Sequence, residues 1–138
     1  MPRLSTIKRV YLAISLSNRG SLENELVQIQ EVFEEKGSEV FIFVDHYHFQ
    51  KEQEKEMMKA AFQEIDRSDL LIAELSKKAI GVGIELGYAR AKGIPILYLR
   101  QKGREHSTTA SGSSDFHLIY ENPRDLGQQL QQLLSEHL

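Results

Sequence analysis

The residue with the clearest potential for chemistry in this sequence is Glu85, a carboxylate that follows the glycines Gly81 and Gly83. Before them lies a short apolar run, Asp69–Leu75, typical of strands that are buried on both faces. This order predicts a strand, a sharp turn at the glycines, and a helix over Ile84–Lys92. Because ligands bind at the carboxyl ends of the strands in open α/β sheets, we expect Glu85 at a binding edge.

The predicted position of Glu85 in the first turn of a helix sets its expected charge. The helix dipole favours a negative charge there, so we expect the carboxylate to be ionised. Acidic residues are also common in first turns that have no function, because they stabilise the helix N-terminus. Position alone therefore leaves a structural and a functional interpretation of Glu85 open.

A second polar group follows the predicted first strand, Val10–Ser15. The turn contains Ser15, Arg19 and Gly20, and Ser21 at its end is a suitable N-cap for the next helix. Hydroxyls, backbone N–H groups of a turn and an arginine beside a helix N-terminus suit a phosphate or a ribose hydroxyl. An ordinary polar turn explains the same residues equally well.

A third group follows the predicted second strand, Glu39–Val44, again at a carboxyl end. It contains Asp45 and His46, which we predict to contact a ligand, and also His48. The two histidines lie in a loop without further ligands nearby, so we predict no metal site. Two aromatic residues beside them could stack on a base or cover the next helix.

The composition is that of one ordinary globular domain, residues 1–138, with 41% hydrophobic and 27% charged residues. A net charge of −3 without a basic cluster argues against nucleic-acid binding. The absence of cysteine excludes disulfides and thiolate chemistry. Neither a P-loop nor a GxGxxG fingerprint is present, so we expect no cofactor. The apolar run near the N-terminus is too short for a signal peptide or a membrane span, which predicts a cytoplasmic protein.

The elements that must position these groups alternate along the chain. The predicted strands are Val10–Ser15, Glu39–Val44, Asp69–Leu75, Ile94–Leu99 and Phe116–Tyr120. Helical spacing and capping residues predict helices over Ser21–Gly37, Gln50–Arg67 and Ile84–Lys92, and from Asn122 onward. The polar segment Gln101–Asp115 is typical of a mobile loop. The pattern predicts a three-layer α/β fold, with a mostly parallel five-stranded sheet in the flavodoxin-like order 2-1-3-4-5 and helices on both faces.

Two motifs also carry a family resemblance, DxxxAE from Asp69 and GVGxELGxA from Gly81. They resemble the nucleoside 2-deoxyribosyltransferase superfamily, most closely the 2'-deoxynucleoside 5'-monophosphate N-glycosidase branch. The resemblance is specific at these motifs and weaker over most of the chain. It implies that Glu85 is the nucleophile that attacks the sugar C1', chemistry in which a carboxylate traps an oxocarbenium-like centre. It also implies a nucleoside or nucleoside 5'-monophosphate as the partner.

The resemblance extends to the first strand and the long loop. Tyr11 and Ser15 match a family Tyr and Ser, and Arg19-Gly20 resembles the family Arg-Gly in a turn that is two residues longer here. Ser107 matches a Ser that reaches the substrate phosphate of the neighbouring subunit, which implies a homodimer. The apolar residues that we expect at its interface are Met57, Met58, Phe62, Tyr88 and Ala89.

One position departs from the family pattern. The enzymes carry an Asp on the helix before the nucleophile, and the matching residue here is Ala61. Either another group substitutes, with Asp45, His46 and His48 as candidates, or the chemistry is weak or lost. Three hypotheses remain: an N-glycosidase or deoxyribosyltransferase-like enzyme, a binding module that kept the pocket without turnover, and a relative of the Toll/interleukin-receptor-like nicotinamide glycosidases.

Overall fold

In the computed structural model, which describes residues 6–137, a single five-stranded sheet forms the centre of the protein. The strands are β1 (Arg9–Ala13), β2 (Glu39–Ile42), β3 (Leu70–Glu74), β4 (Ile96–Gln101) and β5 (Phe116–Tyr120). Their order is β2-β1-β3-β4-β5, and all four neighbouring pairs are parallel. The α/β fold and the strand order predicted from the sequence are therefore confirmed.

Alternate residues of the strands contribute to two cores, one on each face of the sheet. On one face, Leu12 and Ile72 pack with apolar residues of the first and last helices. On the other face, Tyr11 and Leu71 pack with the helices that precede and follow β3. Because both faces are covered, the central strands are apolar at nearly every position rather than at every second one. Each fully buried Leu or Ile side chain contributes about 1.5–3 kcal/mol relative to exposure.

The helices cover the sheet as expected, but several of their bounds differ from the sequence prediction. They are α1 (Glu23–Glu35), α2 (Phe43–His46), α3 (Glu54–Asp66), α4 (Ile80–Ala91), α5 (Thr108–Gly112) and α6 (Pro123–Glu136). The chain leaves β2 two residues earlier than predicted and forms the short α2 where we expected a strand end and a loop. Helix α3 starts four residues later than predicted.

The glycines before Glu85 do not form the predicted turn. Helix α4 already begins at Ile80, so both Gly81 and Gly83 lie inside it and Glu85 belongs to its second turn. The chain reverses earlier, before the extended residue Ala79. Val82 and Leu86, one helical turn apart, are buried against the sheet, and this apolar spacing outweighs the preference of glycine for turns.

The polar turn after β1 is also more regular than expected. It forms a 3₁₀ helix over Leu16–Leu22, and Ser15 caps it by accepting a hydrogen bond from the Asn18 N–H at 3.2 Å. The prediction that Ser21 caps the next helix is wrong, because its hydroxyl donates to the Asn18 carbonyl instead. Where the chain needs a sharp end, Gly37 and Gly93 adopt positive φ values of 83° and 75°.

The long polar segment is not a simple loop. It contains α5, and Ser107 caps this short helix by accepting a hydrogen bond from the Ala110 N–H. At the start of α6, Asn122 is the N-cap, as predicted, and accepts a bond from the Asp125 N–H at 2.8 Å. Within residues 6–137, no helix is long and apolar enough to cross a membrane.

Candidate active site

Glu85 points from the second turn of α4 towards the middle of β1. There the hydroxyl of Tyr11 donates a hydrogen bond to Glu85 Oε2. Tyr11 is the third residue of β1 and is fully buried, so the sheet holds its ring rigidly. This bond joins the two residues across 74 positions of sequence and leaves Glu85 Oε1 free of protein donors in the described part of the chain.

These two residues lie in a cleft of about 340 Å³. Its lining is dominated by apolar side chains from the β1 end, from the segment after β2 and from α3. The lining residues are Tyr11, Leu12, Ala13, Ile14, Leu16, Phe43, Val44, Tyr47, His48, Phe49, Met57, Met58, Ala61, Gly81 and Glu85. Glu85 is the only acidic side chain among them, and they include no Lys or Arg. A mostly apolar cleft with a few convergent polar groups is typical of a small-molecule site.

The apolar surroundings change the protonation of Glu85. Burial raises the pKa of its carboxyl group to about 7, although the hydrogen bond from Tyr11 acts in the opposite direction. The expectation of a fully ionised Glu85 is therefore wrong at neutral pH. The helix dipole acts most strongly in the first helical turn, and Glu85 lies beyond that turn. Desolvation therefore dominates the pKa of Glu85.

Tyr11 stays protonated throughout the physiological range. Burial first, and then the nearby charge of Glu85, raise the pKa of its hydroxyl far above the ordinary value. Tyr11 therefore acts as a permanent hydrogen-bond donor to the carboxylate rather than as an acid or base. A carboxyl group that titrates near neutrality beside a fixed donor can serve as a nucleophile or exchange a proton with a ligand.

The predicted residues of the first turn lie at the edge of the cleft. We call residues 14–22 and 43–49 the rim, because both segments contribute lining residues. Arg19 joins them: its Nε and Nη2 donate to the two carboxylate oxygens of Asp45 at 2.9 and 3.0 Å, and Nη1 donates to Glu23. The hydrogen bonding of Arg19 to the Asp45 carboxylate is the main cause of the raised pKa of Arg19. Gly20 is exposed on the same segment.

The four candidate residues Tyr11, Ser15, Asp45 and Glu85 do not all lie in the cleft. Only Tyr11 and Glu85 line it, since Ser15 caps the 3₁₀ helix and Asp45 holds Arg19. Gly81 also lines the cleft. Gly83 does not, because it lies two residues farther along α4 and lines a second cleft.

His46 is turned away from the cleft. Its Nδ1 lies 2.9 Å from the carbonyl oxygen of Ile42, and its ring stacks on Phe41 with centroids 4.7 Å apart. His48, two residues later, is the histidine that lines the cleft. No group of three or more His, Asp or Glu side chains in residues 6–137 could hold a metal ion.

An aromatic wall, formed by Phe43, Tyr47 and Phe49, was only partly foreseen from the sequence. Their rings are nearly parallel, with centroids 4.8 Å apart for Phe43 and Tyr47 and 5.7 Å apart for Tyr47 and Phe49. All three line the cleft. The available signal was the cluster of aromatic residues at 43, 47 and 49, but the short helix α2 at the start of this segment was not predicted.

Ser107 does not reach Glu85 within one subunit. It lines the second cleft, which is also about 340 Å³ and lies between α4 and α5. Its backbone N–H donates to the Tyr98 hydroxyl at 3.1 Å, and its own hydroxyl caps α5. Ser107 and Glu85 therefore line different clefts of the same chain.

The position of the missing family Asp is an apolar part of the cleft. Ala61 is 2% exposed and lies with Met57 and Met58 in the lining. The nearby Glu64 does not replace a carboxylate there, since its oxygens pair with Arg9 at 3.4 Å and Arg67 at 3.0 Å. Within the described residues, the cleft thus contains one carboxylate and not two.

The chain is similar to known proteins in sequence and in fold. The profile of the nucleoside 2-deoxyribosyltransferase family matches residues 10–132. A segment of 60 residues is 42% identical to the "Putative 2'-deoxynucleoside 5'-phosphate N-hydrolase 1" of Syntrophotalea carbinolica, and it spans 44% of this chain but only 37% of that protein.

Two solved structures share the fold of this chain. The Clostridium botulinum CMP N-glycosidase is 25% identical, with a TM-score of 0.69, over 92% of this chain and 100% of that one. The 2-deoxyribosyltransferase of Bacillus psychrosaccharolyticus is 21% identical and shares the fold, with a TM-score of 0.63 over 86% and 90% of the two chains. From the profile match over most of its length, this chain belongs to the nucleoside 2-deoxyribosyltransferase family.

Proposed function

We propose that this protein cleaves the bond between base and sugar in nucleosides or nucleoside 5'-monophosphates, with Glu85 as the nucleophile. The observation that carries the proposal is the contact between Glu85 and Tyr11 inside an apolar cleft. Membership of the family and the similarity to a CMP N-glycosidase support the same reaction class.

The proposed reaction uses the two oxygens of Glu85 differently. Tyr11 holds Oε2, and Oε1 attacks C1' of the sugar as the C1'–N bond breaks and its electron pair leaves with the base. The departing base takes up a proton, and an ester forms between Glu85 and C1'. Water or a second base then attacks C1', which releases the carboxylate and gives hydrolysis or base transfer. A fixed donor that needs no reorganisation keeps the nucleophile aligned in both steps.

The aromatic wall is suited to the base of the substrate. Phe43, Tyr47 and Phe49 line the cleft with nearly parallel rings, and aromatic rings stack on nucleobases of every kind. The lining is otherwise poor in hydrogen-bond donors, so the wall supplies affinity more than discrimination between bases.

A binding module without turnover is the second candidate, and Ala61 is the observation that favours it. The cleft lacks a second carboxylate among the described residues, so proton transfer to the leaving base falls to water or to a ligand hydroxyl. Two of the candidate substitutes have other partners. Asp45 accepts hydrogen bonds from Arg19, and the ring of His46 stacks on Phe41. His48 is the candidate that lines the cleft.

We further propose a homodimer in which Ser107 of one copy approaches the cleft of the other. Ile80 and Ile84 are 86% and 50% exposed on α4, beside the exposed glycines Gly83 and Gly87. An apolar stripe with small residues permits close packing of a second helix. Of the interface residues expected from the sequence, Ala89 is excluded because it is fully buried within its own subunit.

A panel of nucleosides, their 5'-monophosphates and NAD tests the proposed function. Each compound is incubated with the protein and assayed for free base, and separately for a shift in melting temperature. Release of base from a nucleoside or monophosphate is the expected result. Thermal stabilisation without release identifies the binding module, because a ligand that binds the native state alone must stabilise it. Release of nicotinamide from NAD, without release of base from any nucleoside or monophosphate, contradicts both the proposed enzyme and the binding module.

A further inference from the structure

The rim of the cleft contains one fixed cationic side chain, and two carboxylates already hold it. Residues 14–22 and 43–49 include Arg19 but no other Lys or Arg. Asp45 binds the Nε and Nη2 edge of its guanidinium at 2.9 and 3.0 Å, while Glu23 binds Nη1. All three nitrogens of Arg19 are therefore engaged by anions before any ligand arrives.

The charge balance of this triad is unfavourable to a phosphate. One guanidinium and two carboxylates sum to −1, and a 5'-monophosphate carries a further charge of about −1.5 to −2 near neutral pH. Arg19 and Asp45 lie on the segments that form the rim, so a phosphate that reaches the rim meets their charges, which are screened over a Debye length of about 8 Å. To pair with Arg19, it must displace a carboxylate, either Asp45 from its two-point contact or Glu23 from its single contact.

From this arrangement we propose that the Asp45–Arg19–Glu23 triad is a charge filter that makes the cleft select uncharged nucleosides over their 5'-monophosphates. The proposal rests on the proposed function for its substrate class. Asp45 is its specificity-determining residue, since it makes the two-point contact and its side chain is 35% exposed. Glu23 is 66% exposed and makes a single contact, so a competing anion displaces it more easily.

In the proposed dimer, Ser107 of the other copy adds a hydrogen bond but no charge. In the described chain, His46 is turned onto Phe41 and does not face the cleft. The remaining basic group of the lining is His48, and an assay at pH 8 is chosen because histidine ordinarily carries no charge there.

The test measures binding without turnover. Glu85→Gln protein is titrated calorimetrically, at pH 8 and low salt, with the common nucleosides and with their 5'-monophosphates. Asp45→Asn is then added to this background, and Glu121→Gln serves as the control because it removes the same charge from an exposed pair with Lys102. A third protein combines Asp45→Asn with Arg19→Gln.

We expect the Glu85→Gln protein to bind a nucleoside more tightly than its monophosphate. Asp45→Asn should raise the affinity for the monophosphate relative to the nucleoside about tenfold, Glu121→Gln should leave the ratio unchanged, and Arg19→Gln should remove the gain. Tighter binding of the monophosphate before Asp45 is changed, an unaltered ratio in Asp45→Asn, or binding of neither ligand overturns the proposal. Absence of base release by the unmodified protein refutes the proposed function and leaves this binding test intact.

Discussion

Glu85 and Tyr11 form a pair in which burial and hydrogen bonding act on one carboxyl group in opposite directions. Burial favours the protonated acid, and the hydroxyl of Tyr11 favours the carboxylate. The balance places the pKa of Glu85 at about 7, so a modest change in its surroundings alters the charged fraction at physiological pH. Only the charged form can attack C1', which makes base release dependent on pH.

The first prediction concerns Tyr11→Phe. The variant loses the donor that lowers the pKa of Glu85, so this pKa should rise above about 7. Base release, measured as kcat/KM against pH, should increase with pH through a midpoint near 7 in the unmodified protein and through a higher midpoint in the variant. Tyr88→Phe, which changes a half-buried tyrosine whose hydroxyl donates to Asp66, is the control and should leave the profile unchanged. An unshifted midpoint in Tyr11→Phe contradicts the role of the hydrogen bond.

At the scale of elements, the ends of β3 and β5 are joined by a buried hydrogen-bond cluster. Glu74 is 2% exposed and accepts bonds from the Tyr120 hydroxyl at 2.5 Å, the Ser76 hydroxyl at 2.7 Å and the Ser76 N–H at 2.8 Å. Burial raises the pKa of Glu74, and these bonds oppose the shift. The cluster fixes the edge of the sheet from which the chain enters α4 and carries Glu85.

Tyr120→Phe should therefore destabilise the fold. It leaves the buried carboxyl of Glu74 without its shortest bond, at a cost of about 1–3 kcal/mol in the free energy of unfolding. The loss of stability should grow as pH rises. Without the bond from Tyr120, the pKa of Glu74 in the folded protein rises further, so the charged carboxylate that forms at higher pH destabilises the fold more. Urea unfolding at pH 5 and pH 8 measures both effects. Tyr88→Phe breaks an exposed tyrosine–carboxylate bond and should cost much less, and equal losses would refute the argument from burial.

The elements were largely predictable from the sequence, and the contacts between them were not. Apolar runs and capping signals such as Asn122 and Gly37 gave the strands, the order of the sheet and most helices. The start of α4 was missed because glycine favours turns, whereas the burial of Val82 and Leu86 decides the helix here. The pairing of side chains at the site, such as the hydrogen bonds from Arg19 to Asp45, depends on long-range packing that the local sequence pattern does not encode.

At the scale of the whole molecule, Ile80 and Ile84 form an exposed apolar stripe on α4. Ile80 is 86% exposed at the start of α4, and the neighbouring stripe borders the second cleft, which contains Ser107. In the proposed dimer this surface is buried. The second cleft of one copy, which contains Ser107, then lies next to the Glu85 cleft of the other copy. A symmetric pair is the commonest arrangement for a soluble oligomer.

Ile80→Glu should dissociate the proposed dimer without unfolding the chain. A charge at the interface is costly when buried, and a Glu in the first turn of a helix is favourable in the monomer. Sedimentation velocity at micromolar concentration should show a dimer for the unmodified protein and a monomer for the variant. Val27→Glu, at a 45% exposed position of α1, is the matched control and should remain dimeric. A monomeric unmodified protein contradicts the dimer.

The most direct test of the account as a whole compares base release by the unmodified protein and by Glu85→Gln, on the nucleoside or nucleotide that the panel identifies. Gln keeps the shape of the side chain but cannot form the ester with C1'. We predict a fall in kcat of at least about a thousandfold, with an unchanged fold and ligand still bound, while Glu121→Gln retains full activity. Base release by Glu85→Gln at the unmodified rate would contradict the central claim that Glu85 is the nucleophile.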